Sequence, residues 1–503
     1  MTTQVSGSTG LKEAGAAAEP FPRRWAALGV LAIAQLMVVL DATIVNVAMP
    51  VAQAKLDISE ADKQWMVTAY ALTFGGLLLL GGRIADYWGR RKAFIWGSVG
   101  FALASALGGA ATNGETLFAA RALQGAFGAL LAPAGLALLT VLFTDVKERA
   151  KAFAVYGAIA GGGAAVGLVA GGVLTEYASW RWTLLVNIPI ALLAVVLAIM
   201  VLPESKAKGN TKYDIPGAIT VTLGLVAIVY GATQAADEKI GWTSFESLGY
   251  IIGGIALLIA FVLIQVKSKN PLLPMRILLD RNRGAAYLSG TLTGVGMFGA
   301  FLFLTYYFQA MLKFTPVEAG LASLPITVGV FIAAGAASGL MPKVGAKPLM
   351  AAGSVLAALS IFALTRIGIE NNYTTEVLPA MLALGLGMGL TFVPLSNLAL
   401  IGVPEQDSGV ASATLNATQQ VGGALGTALL NTFAINAATA YAKDHQPKSA
   451  AEAPLVQANA MLESFHTAFI WGGIFLAASA VVIILLVKVR KEDLPTEAAP
   501  HVG

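Results

Sequence analysis

The stretch LDATIVNVAMP, Leu40 to Pro50, sets one carboxylate, Asp41, inside an apolar run that is otherwise free of charge. No charged residue lies between Arg24 and Asp41, and none between Asp41 and Lys55. A helix from Trp25 to Pro50 would be roughly 39 Å long, so Asp41 falls inside a hydrocarbon layer roughly 30 Å thick rather than at its edge. An ionised side chain at that depth costs on the order of 2.5 kcal/mol or more unless it faces a partner or water. Asp41 therefore reads as a functional-site residue, the plainer alternative being an acid that ties two helices together.

The rest of the chain extends this pattern. Of 503 residues, 57% are hydrophobic and 12% charged, against roughly 25% charged in an ordinary soluble domain. Apolar stretches of about 20 residues alternate with short charged turns, which predicts an all-α polytopic membrane protein; a β-barrel would show shorter alternating segments. Fourteen spans are expected, at residues 25–50, 63–82, 93–112, 116–142, 151–175, 182–202, 215–236, 247–266, 284–310, 317–341, 349–368, 376–402, 409–438 and 465–487. An even number returns both termini to one side. That side holds 23 of the 32 Lys and Arg; the other holds 8 (Lys55, Lys63, Arg181, Lys239, Lys313, Arg366, Lys443, Lys448), and Arg121 lies within a span. The bias predicts that both termini are cytoplasmic and that the chain is a multi-pass protein of the inner (plasma) membrane. The polar, Gly- and Ala-rich start has no cleavage signature, so it reads as a cytoplasmic tail.

Several function classes are excluded at this level. The net charge of +4 sits in loops of one side, which is topology rather than nucleic-acid binding. With no cysteine, thiolate catalysis, disulfides and cysteine metal ligands are ruled out. His445, His466 and His501 have no partners at metal-ligand spacing, so no metal is expected. Glycine-rich stretches occur only inside apolar spans and no nucleotide-binding loop is present, so neither a cofactor nor an enzyme activity is expected. Energy for any transport must come from a gradient.

Faint internal symmetry organises the spans. The second ends in GRIADYWGRRK (Gly82–Lys92) and the tenth in GLMPKVGAK (Gly339–Lys347), while the fifth and thirteenth are both glycine-rich. Each pair is offset by eight spans. The expected division is a tail at 1–24, a six-helix bundle at 25–202, a linker at 203–283 with two extra transmembrane helices and an interfacial segment (Pro271–Arg283), a second six-helix bundle at 284–487 and a tail at 488–503. Related halves meeting at a midplane site are a common transporter plan.

Three further motifs carry chemistry. GRIADYWGRRK combines tight-turn glycines with Asp86 and the cations Arg90, Arg91 and Lys92. The fourth span places Arg121, Gln124, Gly125 and Gly128 on one helical face. Arg121 lies roughly 9 Å and Asp41 roughly 14 Å below the same surface, so their depths are compatible; snorkelling of Arg121 to that surface is the alternative. GAAVGLVAGG spaces Gly163, Gly167 and Gly171 four apart, with Gly172 following, which lets helix backbones pack closely. Met37, Tyr70, Phe74, Gln124 and Tyr306 are candidate lining residues of a substrate cavity, although such residues at helical spacing also serve as lipid-facing or core packing.

Taken together these motifs resemble the major facilitator superfamily. GRIADYWGRRK resembles the signature G-x-L-a-D-x-x-G-r-k, with Ile84 replacing leucine; the resemblance implies that Gly82, Arg83, Asp86, Gly89, Arg90 and Arg91 gate one conformation. The run at Arg121 resembles R-x-x-q-G, which implies proton coupling by Asp41 with Arg121. GAAVGLVAGG resembles the antiporter signature g-x-x-x-G-P-x-x-G-G, with Leu168 in place of proline. LDATIVNVAMP resembles the first-span signature of the fourteen-span drug and proton antiporters, departing only at Met49, and SWRWTLLVNIP (Ser179–Pro189) resembles the start of their sixth span. The resemblance covers nearly the whole chain. It implies a major facilitator fold and a monomeric, proton-coupled secondary transporter in the lipid bilayer, exporting hydrophobic or cationic small molecules by alternating access. An exporter of an endogenous lipid, siderophore or natural product on the same fold stays open.

Overall fold

A computed structural model describes residues 21–206, 213–236, 240–369, 372–403 and 407–489; most of both expected tails, Lys239 and His501 lie outside this set. Among the described residues every regular element is helical: α1 (Arg24–Lys55), α2 (Trp65–Trp88), α3 (Arg90–Gly109), α4 (Gly114–Leu142), α5 (Val146–Tyr177), α6 (Trp182–Leu185), α7 (Asn187–Val201), α8 (Ile215–Gln234), α9 (Phe245–Lys267), α10 (Met275–Leu278), α11 (Arg281–Tyr306), α12 (Pro316–Val344), α13 (Ala346–Leu364), α14 (Leu378–Leu400), α15 (Ser408–Asp444) and α16 (Ala453–Leu486). A π-helical turn ends α11 at Tyr307–Met311 and another precedes α14 at Tyr373–Val377. Local chemistry sets many ends: Asn113, Asp214, Ser244 and Asp280 cap their helices, and Thr315 with Glu318 forms a capping box at α12.

Thirteen helices among the described residues are long and apolar enough to cross a membrane. The expected third span corresponds to α3, twenty residues long, which is not among them because its first turn is Arg90, Arg91 and Lys92. The fourteen-span count therefore rests on α3. Other boundaries also differ from expectation. Helix α1 continues through Pro50 to Lys55; proline removes one backbone donor and proline-containing spans are tolerated in membranes. The stretch between the last two expected spans, 439–464, is mostly helix, because α15 runs to Asp444 and α16 begins at Ala453. The interfacial segment turns part of its apolar surface into the protein: Leu273 and Ile277 are buried with Phe261, Tyr287 and Met350, and Leu272 is buried too, whereas Leu279 is exposed.

Helix pairing repeats with the eight-span offset. Helix α1 packs on α5 and α7, α2 on α4, and α3 on α4 and α7; likewise α11 packs on α15 and α16, α12 on α14, and α13 on α14 and α16. The two sets meet along α2 with α15 and α5 with α12, and the same offset exchanges these two seams. Helices α8 and α9 pack on each other, with α8 lying against both α2 and α15.

The sets close on the side opposite the chain termini. There Tyr306 donates to Gln53 Oε1 (2.6 Å), Gln309 to the Val47 carbonyl (2.9 Å) and Asn431 to the Glu60 carbonyl (2.9 Å). Gly172 sits on the Pro316–Val317 backbone and Gly320 on that of Leu168. Toward the terminus side, a Cβ at Gly157 or Gly162 of α5, or at Gly335 or Gly339 of α12, would meet nothing within 4 Å.

Gly163, Gly167 and Gly171 press α5 onto α1, where a Cβ at Gly167 would strike Thr43 and come within 3.1 Å of the Leu40 carbonyl. Gly167→Val is therefore expected to lower stability by about 1–3 kcal/mol, read as a fall in melting temperature in detergent. Gly157→Val, in the same helix but facing open space, should melt close to the parent protein; an equal fall in both would contradict the packing.

Candidate functional site

The acid singled out by the sequence is entirely buried, with Asp41 0% and Arg121 1% exposed. Arg121 Nη1 donates to Asp41 Oδ2 at 2.6 Å and to Gln124 Oε1 at 2.8 Å. Its Nε donates to the Met66 carbonyl at 2.9 Å, and the Tyr70 ring lies 4.6 Å from the guanidinium carbon. Arg121 thus faces inward and does not snorkel. The other carboxylate oxygen, Oδ1, accepts from Gln124 Nε2 at 2.8 Å and Asn187 Nδ2 at 2.7 Å. Both amides also donate to Ser105 Oγ, at 2.7 and 3.3 Å.

Five helices build this cluster. Asp41 comes from α1, Tyr70 from α2, Ser105 from α3, Arg121 and Gln124 from one face of α4, and Asn187 from the first position of α7. The break before Asn187 follows from Pro189, whose missing N–H leaves the Leu185 carbonyl without its helical donor. The charges of Asp41 and Arg121 cancel and every Asp41 oxygen is occupied, which meets the requirement for burying an ion pair. The sequence singled out Asp41 and Arg121 as a pair and Tyr70 and Gln124 as cavity-lining candidates, and the structure brings all four together; the sequence did not single out Ser105 or Asn187. The available signal was Asn187 itself, a lone amide within the apolar run Leu184–Leu202.

The other expected site residues are distributed among three places. Met37 and Phe74 are core residues, with Phe74 stacked on Tyr70 at 5.6 Å between centroids. Tyr70 and Gln124 belong to the Asp41 cluster. Tyr306 belongs to the closed far side, where Lys63 Nζ lies 4.2 Å from its ring and pairs with Glu60 at 2.5 Å. Gln53 donates to Glu60 Oε1 at 2.8 Å, so Gln53, Glu60, Lys63, Tyr306 and Asn431 form one latch across the two sets. None of the five expected lining residues borders either of two clefts on the outer face, one of about 580 Å³ between α12 and α14 and one of about 440 Å³ between α2 and α8.

At the terminus side Arg90 pairs with Asp86 at 2.8 Å. Gly89 has φ +130°, and a Cβ there would fall 2.7 Å from Glu204. Glu204, which the sequence did not single out, accepts from the Arg91 backbone N–H at 3.2 Å; Arg90 N–H reaches the Ser205 carbonyl at 3.0 Å and Arg91 Nη2 the Ile199 carbonyl at 2.6 Å. Arg83 contacts Tyr87 and the Pro271 carbonyl of the linker, and Gly82 lies against Pro133. The turn is thus docked on the segment after α7.

Residues 31–427 match the family model described as Major Facilitator Superfamily. A puromycin resistance protein of Streptomyces alboniger is 44% identical over 98% of this chain and 96% of its own length. A cephamycin export protein of Amycolatopsis lactamdurans is 36% identical over 81% of this chain and 84% of its own. Among solved structures, a bacterial homologue of the human lysosomal transporter Spinster, inward-facing and unoccupied, superposes with a TM-score of 0.66 at 14% identity, covering 95% of this chain and 99% of its own; at that identity the likeness is one of fold.

Removing one partner of a buried ion pair costs about 3–5 kcal/mol, because the other charge is left uncompensated. Arg121→Met should show a loss of that order in thermal unfolding, and Asp41→Asn combined with Arg121→Met should recover more than half of it. Additive losses in the double variant would mean that the two side chains do not act as a pair.

Proposed function

The chain belongs to the major facilitator superfamily, and from that premise we propose that it is a proton-coupled exporter of amphipathic natural-product antibiotics, working by alternating access with Asp41 as the proton-carrying group. It is an integral membrane protein that handles a small-molecule substrate. The observation that carries the proposal is the Asp41–Arg121 pair, fully buried at mid-span with a single acid and a single base. Such a pair serves one carboxylate in two states: ionised, it holds Arg121; protonated, it releases the guanidinium and loosens α1 from α4. Because both Asp41 oxygens are taken by protein donors, the proton competes with Arg121 for the carboxylate rather than with cargo in direct contact.

The two sets of six, 25–202 and 284–487, then act as bodies that rock about the α2–α15 and α5–α12 seams. With both termini and the turn Gly82–Lys92 on the cytoplasmic side, the closed far side corresponds to an inward-facing state. Return to the outward state requires the latch of Gln53, Glu60, Lys63, Tyr306 and Asn431 to part, while Gly82, Arg83, Asp86, Gly89, Arg90 and Arg91 close the inner side. The cargo class is supported by the relatives, one named for puromycin resistance and one for cephamycin export.

In proteoliposomes with an imposed pH gradient, Asp41→Asn should abolish proton-driven puromycin uptake while the protein remains folded; uptake at the parent rate would overturn the coupling role. Expression in a sensitive host should raise tolerance to puromycin or a related antibiotic, and an unchanged panel of inhibitory concentrations would remove the cargo assignment. The latch adds a further test. Burial pushes the Glu60 carboxyl up, but Lys63 beside it and hydrogen bonds from Lys63 and Gln53 more than offset this and hold it below the ordinary carboxylate value. A lowered folded value means that the latch is whole above the ordinary carboxylate range and weakens as pH falls through Glu60's own value. Glu60→Gln should mimic that loss at neutral pH. The cysteine-free chain allows Thr68→Cys, buried beneath the latch at the α2–α15 seam, to be labelled faster by a maleimide in the Glu60→Gln background; an unchanged rate would separate Glu60 from gating.

A further inference from the structure

We propose that Asn187 is the hydrogen-bond acceptor of the protonated form of Asp41, reached by a half-turn of its side-chain amide. The inference rests on the reading of Asp41 as the protonated group and adds a residue to it. A carboxylate only accepts hydrogen bonds, whereas a neutral carboxyl carries an O–H that must donate. In a water-free cluster the neutral form persists only if an acceptor is at hand.

Within hydrogen-bonding reach of Asp41, the acceptors are accounted for. Arg121 has donors only. Gln124 Oε1 is held by Arg121 at 2.8 Å. Ser105 Oγ already accepts from Gln124 and Asn187. Asn187 is different, since its Nδ2 sits 2.7 Å from Asp41 Oδ1 while its Oδ1 is buried without any partner. Among the described residues, other buried polar atoms also lack partners, yet Asn187 Oδ1 alone sits on an amide bonded to a carboxylate. Rotation about the last side-chain bond exchanges nitrogen and oxygen at nearly the same place, and that torsion is broad for an amide. The contact then reverses direction: Asp41 takes a proton on Oδ1 and donates a hydrogen bond to Asn187 Oδ1, at the loss of the long 3.3 Å bond to Ser105 and with the amide nitrogen moved to the position where Asn187 Oδ1 had no partner. The ionised form forbids the same rotation, because it would set two acceptors against each other.

The titratable groups that face Asp41 are Arg121 from α4 and Tyr70 from α2. Helix α3 contributes Ser105 and α7 Asn187, both uncharged, and α5 lies against α1 through glycines. The acceptor for the neutral form therefore comes from α7, which gives the break at Pro189 a purpose beyond a bend.

Infrared difference spectra of the purified protein in lipid, low pH minus neutral pH, test the assignment without any cargo. Protonation of Asp41 should produce a carboxyl C=O band that Asp41→Asn removes. Alongside it, the amide carbonyl of Asn187, free in the ionised form, should fall in frequency as it begins to accept, giving a paired feature lost in Asn187→Leu, in Asn187→Ser and in Asp41→Asn. The smaller serine variant keeps the test open if leucine impairs folding. An amide feature unchanged in the Asn187 variants, with the Asp41 carboxyl band present, would overturn the role of Asn187 alone. Absence of any carboxyl band sensitive to Asp41→Asn would instead overturn the underlying reading of Asp41.

Discussion

The structure depends on one electrostatic constraint: a carboxylate that apolar surroundings cannot solvate must be solvated by the protein. Asp41 is entirely buried, and its two oxygens receive one charged and two neutral donors drawn from α4 and α7. A lone acid at that depth would be costly, and a lone arginine hardly less so. Together they are tolerable, and they draw α1, α4 and α7 to a common point, with the Tyr70 ring from α2 covering the guanidinium. The same feature that makes the pair stable makes it sensitive, because a change in protonation of one oxygen alters the partners of all the others.

Around that point the fold is a repeat. Each major helix pairing in the first set recurs eight spans later, and the two seams between the sets are exchanged by the same operation. The α5–α12 seam is glycine-lined at the far end, where Gly172 and Gly320 each sit on the opposing backbone. The polar contacts across the far side, Tyr306 to Gln53 and Asn431 to Glu60, are made by buried side chains. Behind them one buried apolar cluster runs from Ile44, Met49 and Met66 of the first set to Phe303, Phe308 and Ile326 of the second, so the far side is closed by apolar burial as well as by hydrogen bonds. Helices α8 and α9 stand outside the repeat, and α8 touches both sets through Gln64 with Thr233 and through Thr432 with the Ala232 carbonyl.

Sequence patterning and coordinates divide along physical lines. Hydropathy located the spans because lipid leaves no alternative to long apolar helices, and it failed where that pressure lapses: α16 begins well before its apolar segment, and α3 starts with three cations. The expected cavity residues illustrate a second limit. Tyr70, Gln124 and Tyr306 are polar enough to mark interior positions, yet periodicity does not say which helices they join, and in the structure Tyr70 and Gln124 contact Arg121 while Tyr306 reaches Gln53 of the other set. Asn187 and Glu204 were passed over because each acts on a residue distant in the chain.

From the sequence alone come the membrane-spanning helical class, the eight-span repeat, the buried acid with its arginine, and the glycine spacing on α5, since each is a property of local pattern or of the cost of charge in hydrocarbon. Only the tertiary structure decided that Arg121 turns inward rather than toward the surface, that Asn187 completes the coordination of Asp41 with Ser105 behind the amides, and that the two sets close on the side opposite the termini. Those outcomes depend on which helices become neighbours, and neighbourhood between residues far apart in the chain is set by packing and hydrogen-bond geometry that no local pattern encodes.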